Sequence, residues 1–203
     1  MKIVKFQDEF QWIEARRTKI TGTRLKDIVI LRGTKEKQGF YELIAERLAI
    51  PRPEGENKMQ RGHDLEVEAI ELCEKKLSKV FVKDLVMWER DDNSSIAISP
   101  DGFTKDLKEA IEVKCLSSAE QVKAIINEEY PADHKFQVLQ YFIVNEKLEK
   151  LFFAMYDPSL IEQLSLKIFE IKREDIKVDV EKYLEYERKS LEKIGEIIKK
   201  LSF

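Results

Sequence analysis

Four short segments between residues 79 and 116 carry apolar residues with period two or in β-branched runs, which is the pattern of strands. These are KVFV, DLVMWER, SIAIS and EAIEVKCL, joined as a meander, and two later strands follow in KLFFAMYD and SLKIFEIKR. Helical spacing is found in FQDEFQWIEARR, KQGFYELIAERLAI, GHDLEVEAIELCEKKL, SSAEQVKAIINEE, HKFQVLQYFIVN and a last helix from about Asp179 to Leu201. This order predicts an α/β fold: a mixed central sheet flanked by helices, after an N-terminal helical segment.

Length and composition suit a single globular domain. The chain has 203 residues, of which 43% are hydrophobic, enough to bury a core without disulfides or structural metal. No run approaches the roughly 20 apolar residues of a membrane span, and the first residues lack the apolar region of a secretory signal. Cys73 and Cys115 lie in apolar segments without paired spacing, which is typical of reduced cysteines. We therefore expect a cytoplasmic protein with no membrane association.

Basic residues are concentrated near the N-terminus of an otherwise acidic chain. The net charge is −3, yet between Ala15 and Lys37 only Asp27 and Glu36 oppose a series of basic side chains. The series consists of Arg16, Arg17, Lys19, Arg24, Lys26, Arg32, Lys35 and Lys37. Such a face can hold a phosphate backbone, or it can be a solvated helix face; charge alone leaves both open.

The segment IEVKC presents an acid and a lysine together. Because strand side chains alternate, Glu112 and Lys114 point to one face and Ile111, Val113 and Cys115 point to the other. The preceding ISPDGF pairs with this strand through a short turn, so Asp101 can reach the same face. A proline before the acid and a glycine after it end that strand sharply.

Two carboxylates at close range repel each other unless a cation lies between them. Carboxylates, waters and phosphate oxygens are the ligands that Mg²⁺ or Mn²⁺ prefers. Lys114 would then lie beside a metal-bound water, where it could orient or deprotonate the nucleophile and stabilise charge on a phosphate. The alternative is a surface ion pair on a hairpin.

Glu66 lies on the apolar stripe of its helix, in register with Ile70, Cys73 and Leu77. A buried acid needs a partner, so a metal ion or a base is expected beside it, unless the side chain extends to the rim of the stripe. Another helix carries Gln137, Gln140 and Tyr141 on one side. These side chains could hold a water or a phosphate, or they could form a polar patch whose hydrogen bonds are satisfied within the protein.

The last helix carries a stripe with alternating four- and three-residue steps. Such a seam packs on a neighbouring subunit or on its own domain, and the acid within it weakens the coiled-coil interpretation. Its members are Val180, Leu184, Glu187, Leu191, Ile194, Ile198 and Leu201.

Taken in order, these pieces resemble the phage lambda-type exonuclease (YqaJ-like viral recombinase) family of the PD-(D/E)XK nuclease superfamily. The matching stretches run from residue 14 to residue 158: EARRTKITGTR, RGHDLEVEAIELCE, ISPDGF, IEVKC, QVLQYFIV and FFAMYDP. The resemblance implies a restriction-endonuclease-like core at 61–175, an N-terminal DNA-contacting segment at 1–60 and a C-terminal helix at 176–203.

The resemblance also assigns roles to individual residues. Asp101, Glu112 and Glu66 would bind the catalytic metal, two Mg²⁺ (or Mn²⁺) ions per site, and Lys114 would be the catalytic lysine. Gln137 is preferred over Gln140 as the site glutamine because it begins a Q-x-x-x-Y pattern with Tyr141, as in RecB-like nucleases. The residues that would grip the terminal phosphate and its neighbours are Arg16, Thr23 and Ser99.

The function implied is 5′→3′ degradation of one strand at double-stranded DNA ends, leaving 3′ overhangs for recombination. The assembly implied is a homotrimeric ring, and the partner implied is a single-strand annealing protein, in a phage or prophage context. A RecB-like or structure-selective endonuclease of the same superfamily is the alternative.

Overall fold

The computed structural model describes residues 1–17, 19–30, 36–37, 40, 43 and 60–201, with the side chains at 60–64 excepted. The predicted helix in KQGFYELIAERLAI lies almost wholly outside the described residues. The described helices are α1 (Glu9–Arg16), α2 (Leu25–Ile28), α3 (Gln60–Leu77), α4 (Ser118–Asn127), α5 (Lys135–Val144), α6 (Glu162–Ser165) and α7 (Arg173–Leu201). None of these is long and apolar enough to cross a membrane.

The strands form two sheets. A small antiparallel sheet has the order β1 (Lys2–Lys5), β2 (Val86–Glu89) and β3 (Ala97–Ile98). A larger mixed sheet has the order β4 (Gly102–Phe103), β5 (Glu109–Lys114), β6 (Lys150–Tyr156) and β7 (Leu166–Lys172). In the larger sheet β5 and β6 are parallel and the other two pairs are antiparallel. The prediction of a mixed sheet flanked by helices is confirmed.

The expected continuous meander is wrong in detail. The segment KVFV contributes only an isolated bridge between Val82 and Phe103. The sheet divides between Ile98 and Gly102, because Pro100 has no amide hydrogen to extend the ladder. Glycine is required directly after this break: a Cβ on Gly102 would lie 2.8 Å from Ile111 Cγ2. Strand β1 was not predicted, and α7 begins six residues before the expected start.

Strand β5 runs through the middle of the core, and its two faces have different partners. Ile111 and Val113 pack with Ala69, Ile70 and Cys73 of α3. Ala110, on the opposite face, packs in the larger cluster that contains the buried residues of α5. The alternation that the sequence predicted for this strand is confirmed, and it turns Glu112 and Lys114 away from the apolar α3 cluster.

The stripe of α7 packs within the same chain. Val180, Glu187 and Ile194 are buried, and α7 lies against α5. Tyr183, one residue before Leu184 of the stripe, makes an edge-on contact with Phe136 of α5, with ring centroids 5.2 Å apart. Of the two interpretations of this stripe, packing on its own domain therefore holds for the buried central part of the helix.

Candidate active site

Asp101 is fixed at the edge of β5 by a backbone contact. It follows β3 after Pro100, and its Oδ2 accepts a hydrogen bond of 2.7 Å from the amide of Val113. Val113 lies between Glu112 and Lys114 in β5, so the carboxylate is held beside both. The sequence prediction that these three side chains share one face is confirmed by this geometry.

Glu112 is buried, with 1% of its surface exposed, and receives three side-chain hydrogen bonds. Lys114 Nζ donates to Oε1 at 2.5 Å, and Gln137 Nε2 donates to the same oxygen. Tyr141 donates its hydroxyl hydrogen to Oε2 at 2.5 Å. One cationic and two neutral donors together stabilise a charged carboxylate that burial alone would disfavour.

Several acids lie close together in this cluster, and their charges act on the neighbouring groups. Burial raises the pKa of Asp101 well above its ordinary value, and the charges of Glu112 and Glu66 raise it further. Burial acts to lower the pKa of Lys114, but the charges of Glu112 and Asp101 outweigh burial and raise it. Glu66, half-buried on α3, is therefore near enough to act on both groups. Lys114 is an ammonium ion in this arrangement.

The donor set fits a hard divalent cation in its chemistry. Asp101, Glu112 and Glu66 supply carboxylate oxygens, and their mutual repulsion is what a cation between them would relieve. Within the described part of the chain, however, no three His, Cys, Asp or Glu side chains are arranged around a common point as ligands. The reason is visible at Glu112, whose oxygens are turned toward Lys114, Gln137 and Tyr141.

Arg16 and Ser99 are brought to the same site through a tryptophan. The Arg16 guanidinium lies 4.4 Å from the centre of the Trp12 ring, and Trp12 Nε1 donates to Ser99 Oγ at 3.0 Å. Burial lowers the pKa of Arg16, and the charges of Glu112 and Asp101 act in the opposite direction, which places its guanidinium near the carboxylates. Because Ser99 Oγ accepts from Trp12, its own hydrogen remains free to be donated.

Thr23 is exposed and directly follows the buried Thr21 and Gly22 in a turn. The turn packs closely on α5: a Cβ on Gly22 would lie 2.4 Å from Ile98 Cδ1 and 3.0 Å from Gln137 Cγ. The chain can pass here only because residue 22 has no side chain. Thr23 Oγ1 lies 3.5 Å from Thr21 Oγ1 and makes no direct contact with the carboxylates among the described interactions.

The two candidate glutamines lie in different places. Gln137 contacts Glu112, as favoured by the Q-x-x-x-Y spacing. Gln140 is fully buried, and its Nε2 donates to the carbonyl oxygens of Ile20 and Ala97 at 3.1 and 3.3 Å. The structure therefore places Gln137 at the carboxylate cluster and Gln140 away from it.

Sequence reasoning missed Trp12 and did not assign Tyr141 to Glu112. Both had a local signal, since Trp12 precedes Arg16 by four residues and Tyr141 follows Gln137 by four, which places each pair on one helix face. The His134 side chain lies next to Gln137, and its ring is tilted against that of Phe153, with ring centroids 5.4 Å apart.

Residues 11–148 match the family model of the YqaJ-like viral recombinase domain, and the chain belongs to this family. The resemblance drawn from the sequence motifs is thereby confirmed at the level of the family.

Solved structures share the fold over nearly the whole chain. The alkaline exonuclease LHK-Exo of Laribacter hongkongensis, in a complex with dAMP, has a TM-score of 0.78 at 21% identity, covering 94% of this chain and 95% of that one. A phage-related exonuclease of Haemophilus somnus 129PT has a TM-score of 0.60 at 15% identity, with coverage of 90% and 96%. No curated protein gave a significant match.

Proposed function

We propose that this chain is a metal-dependent deoxyribonuclease that hydrolyses phosphodiester bonds at the ends of linear double-stranded DNA. It degrades one strand 5′→3′ and leaves 3′ overhangs for homologous recombination. The observation that carries the proposal is the convergence of Asp101, Glu112 and Lys114 at one strand edge, with Glu66 and Arg16 in electrostatic reach. Membership of a viral recombinase family and a fold shared with exonucleases support it.

Asp101, Glu112 and Glu66 would hold Mg²⁺ or Mn²⁺, two ions per site. A bound divalent ion supplies an activated water and charge neutralisation at the phosphate. Glu112 would turn at least part of its carboxylate from Lys114 to such an ion. The Lys114 ammonium group would then stabilise the charge that develops on the scissile phosphate.

The remaining residues position the DNA end. Arg16, whose guanidinium lies over the Trp12 ring, presents it to the terminal phosphate, and Ser99 donates its hydroxyl hydrogen to a phosphate oxygen. Thr23 contacts the neighbouring backbone from its exposed turn. Gln137 holds Glu112 in place and orients the attacking water. The described basic residues Arg24 and Lys26 of the N-terminal segment line the path of the duplex.

The assembly proposed is a homotrimeric ring around the DNA, acting inside the cell with a single-strand annealing protein. Each subunit is one nuclease domain over residues 1–203, made of the N-terminal DNA-contacting segment at 1–60, the core at 61–175 and the C-terminal helix at 176–203. The dAMP bound to LHK-Exo is a deoxyribonucleoside monophosphate, the product class that stepwise hydrolysis of DNA releases.

The test uses linear and covalently closed circular duplexes with Mg²⁺. We expect loss of the linear DNA with single-stranded remnants, an untouched circle, and no cleavage in excess chelator. Duplexes labelled at the 5′ or the 3′ end decide the polarity, because a 5′→3′ enzyme releases the 5′ label first. Cutting of the circle would overturn the exonuclease in favour of an endonuclease. No cleavage with Mg²⁺ or Mn²⁺ would overturn both.

The second candidate is a RecB-like or structure-selective endonuclease with the same chemistry. It is favoured by one observation: Gln137 and Tyr141, the two ends of the Q-x-x-x-Y pattern, both donate to Glu112. Branched and flap duplexes included in the same assay separate it from the exonuclease.

A further inference from the structure

Gln140 joins three parts of the molecule at a buried point. Both hydrogens of its Nε2 are used, one on the carbonyl of Ile20 and one on that of Ala97. Ile20 O also accepts from the amide of Ala97 at 3.1 Å, so the same carbonyls connect the N-terminal segment to β3. These two acceptors fix the orientation of the Gln140 amide, because only its nitrogen can donate to them. Its oxygen must therefore point elsewhere.

Glu187 on α7 is fully buried, and its side chain is adjacent to that of Gln140. Gln140 Oε1 and both carboxyl oxygens of Glu187 are buried and receive no hydrogen from any donor among the described residues. Buried acceptors without a donor are unfavourable, and a proton on the carboxyl group would supply the missing hydrogen.

Arg90, the nearby cation, already donates hydrogen bonds to other acceptors. Arg90 is the charge that acts on Glu187, but its Nε–H donates to Asp92 Oδ1 at 2.7 Å and one amino group donates to Glu146 at 2.6 Å. The other amino group donates to the carbonyl of Ile143. Arg188, the next residue on α7, also donates to Asp92. Among the described residues Glu187 therefore has no ion-pair partner.

We propose that Glu187 is protonated and donates its carboxyl hydrogen to Gln140 Oε1. This bond makes α7 the third member of a buried clamp whose other members are the Ile20 carbonyl and the Ala97 carbonyl. Burial raises the pKa of Glu187 well above its ordinary value, which favours the protonated form.

The Ile20 and Ala97 carbonyls connect the clamp to the candidate site. Ile20 leads directly into the turn of Gly22 and Thr23, and Ala97 leads through β3 to Ser99 and Asp101. Glu187 is thus a positioning residue for groups that contact phosphate and metal. That part of the inference rests on the proposed function, whereas the protonation of Glu187 does not.

The first experiment measures urea unfolding of the wild type and Glu187→Gln between about pH 5.5 and about pH 8.5. A glutamate that is protonated in the folded state contributes fully to the free energy of unfolding below the ordinary pKa of a glutamate. This contribution is lost as pH rises. Glutamine offers an amide hydrogen in place of the carboxyl hydrogen and does not titrate. The unfolding constant of the wild type relative to Glu187→Gln should therefore rise with pH, by up to about tenfold per unit.

Glu181→Gln is the matched control, because Glu181 is an exposed acid on the same helix. Its pH profile should run parallel to that of the wild type. An infrared difference spectrum between wild type and Glu187→Gln should also contain the carbonyl band of a neutral carboxyl group. Parallel pH profiles for wild type and Glu187→Gln, or a carboxylate band in that difference spectrum, would overturn the proposal.

The second experiment tests positioning with linear DNA. Glu187→Leu leaves Gln140 Oε1 without a donor and should lower kcat/KM about tenfold, and Glu187→Gln should restore it. If Glu187→Leu does not fold, the pH series and the spectrum still decide the protonation. If the wild type cuts no DNA, the proposed function fails while the Glu187 measurements stand.

Discussion

Helix α5 lies next to two buried glutamates that differ in the hydrogen bonds they receive. Glu112, with 1% of its surface exposed, accepts hydrogen bonds from Lys114, Gln137 and Tyr141. Glu187, with none exposed, faces Gln140 and receives no hydrogen from the described donors. The helix supplies partners to both: Gln140, next to Glu187, lies three positions after Gln137 and one before Tyr141.

Burial of an acid does not by itself mark a catalytic site. A buried carboxyl group can be stabilised as an anion by donors and a cation, or it can be neutralised by a proton. Only the first arrangement leaves a charge that can attract a metal ion. The Glu112 region is therefore suited to chemistry, and the Glu187 region to holding the fold.

The largest expected effect comes from making the same substitution at both acids. Glu112→Gln removes the charge and should lower kcat by about 10³-fold, whereas Glu187→Gln should change it by less than about twofold. Single-turnover cleavage of linear DNA measures both. Equal losses at the two positions would remove the distinction between the regions.

Lys114→Ala should reduce cleavage by about 10² to 10³-fold while DNA-end binding stays largely intact, because the ammonium group acts on the transition state. Lys108→Ala, at an exposed lysine that pairs with Glu149, serves as control. Kinetics and fluorescence anisotropy on the same DNA separate the two quantities. A parallel fall in binding and turnover would count against this role.

The two glutamines provide the next contrast. Gln137→Leu removes a donor to Glu112 and should lower turnover about tenfold with little loss of stability. Gln140→Leu leaves the Ile20 and Ala97 carbonyls without this donor and should cost about 2 kcal/mol of unfolding free energy. Urea unfolding and cleavage rates are measured for both variants, and reversed outcomes would assign the site glutamine to Gln140.

Arg16→Ala should raise KM several-fold more than it lowers kcat, because the guanidinium binds phosphate. It should also reduce the salt slope of DNA binding by about 1. Arg17→Ala is the neighbouring control, since Arg17 pairs with Glu14. An unchanged slope in Arg16→Ala would remove this residue from the phosphate contacts.

Asp92 should respond to pH in the opposite sense to Glu187. The hydrogen bond from Arg90 lowers the pKa of Asp92 to about 2, against a smaller opposing effect of burial, and Arg188 adds to the lowering. Its contribution is present above the ordinary carboxyl pKa and is lost as pH falls toward 2. Because the side chain is 41% exposed, Asp92→Asn should cost only about 1 kcal/mol at neutral pH. Unfolding at neutral and acidic pH measures this, and a constant difference would exclude the linkage.

What the sequence could predict was local. Period-two alternation placed Glu112 and Lys114 on one face, and helical spacing placed Gln137 with Tyr141. What it could not predict depends on contacts between distant segments. The Gln140–Ile20 hydrogen bond spans 120 positions and the Trp12–Ser99 bond spans 87. In the sequence Glu187 only interrupts an apolar stripe, because no local pattern reveals that its buried neighbour is Gln140.

The parallel pairing of β5 with β6 has a consequence for how the protein is made. The connection between these strands contains α4 and α5, so Lys114, Gln137 and Tyr141 all belong to one strand–helix–strand unit. During synthesis this unit leaves the ribosome before α7. We therefore expect a nascent chain that already surrounds Glu112 with its donors, but whose N-terminal turn and β3 become fixed only when the last helix docks.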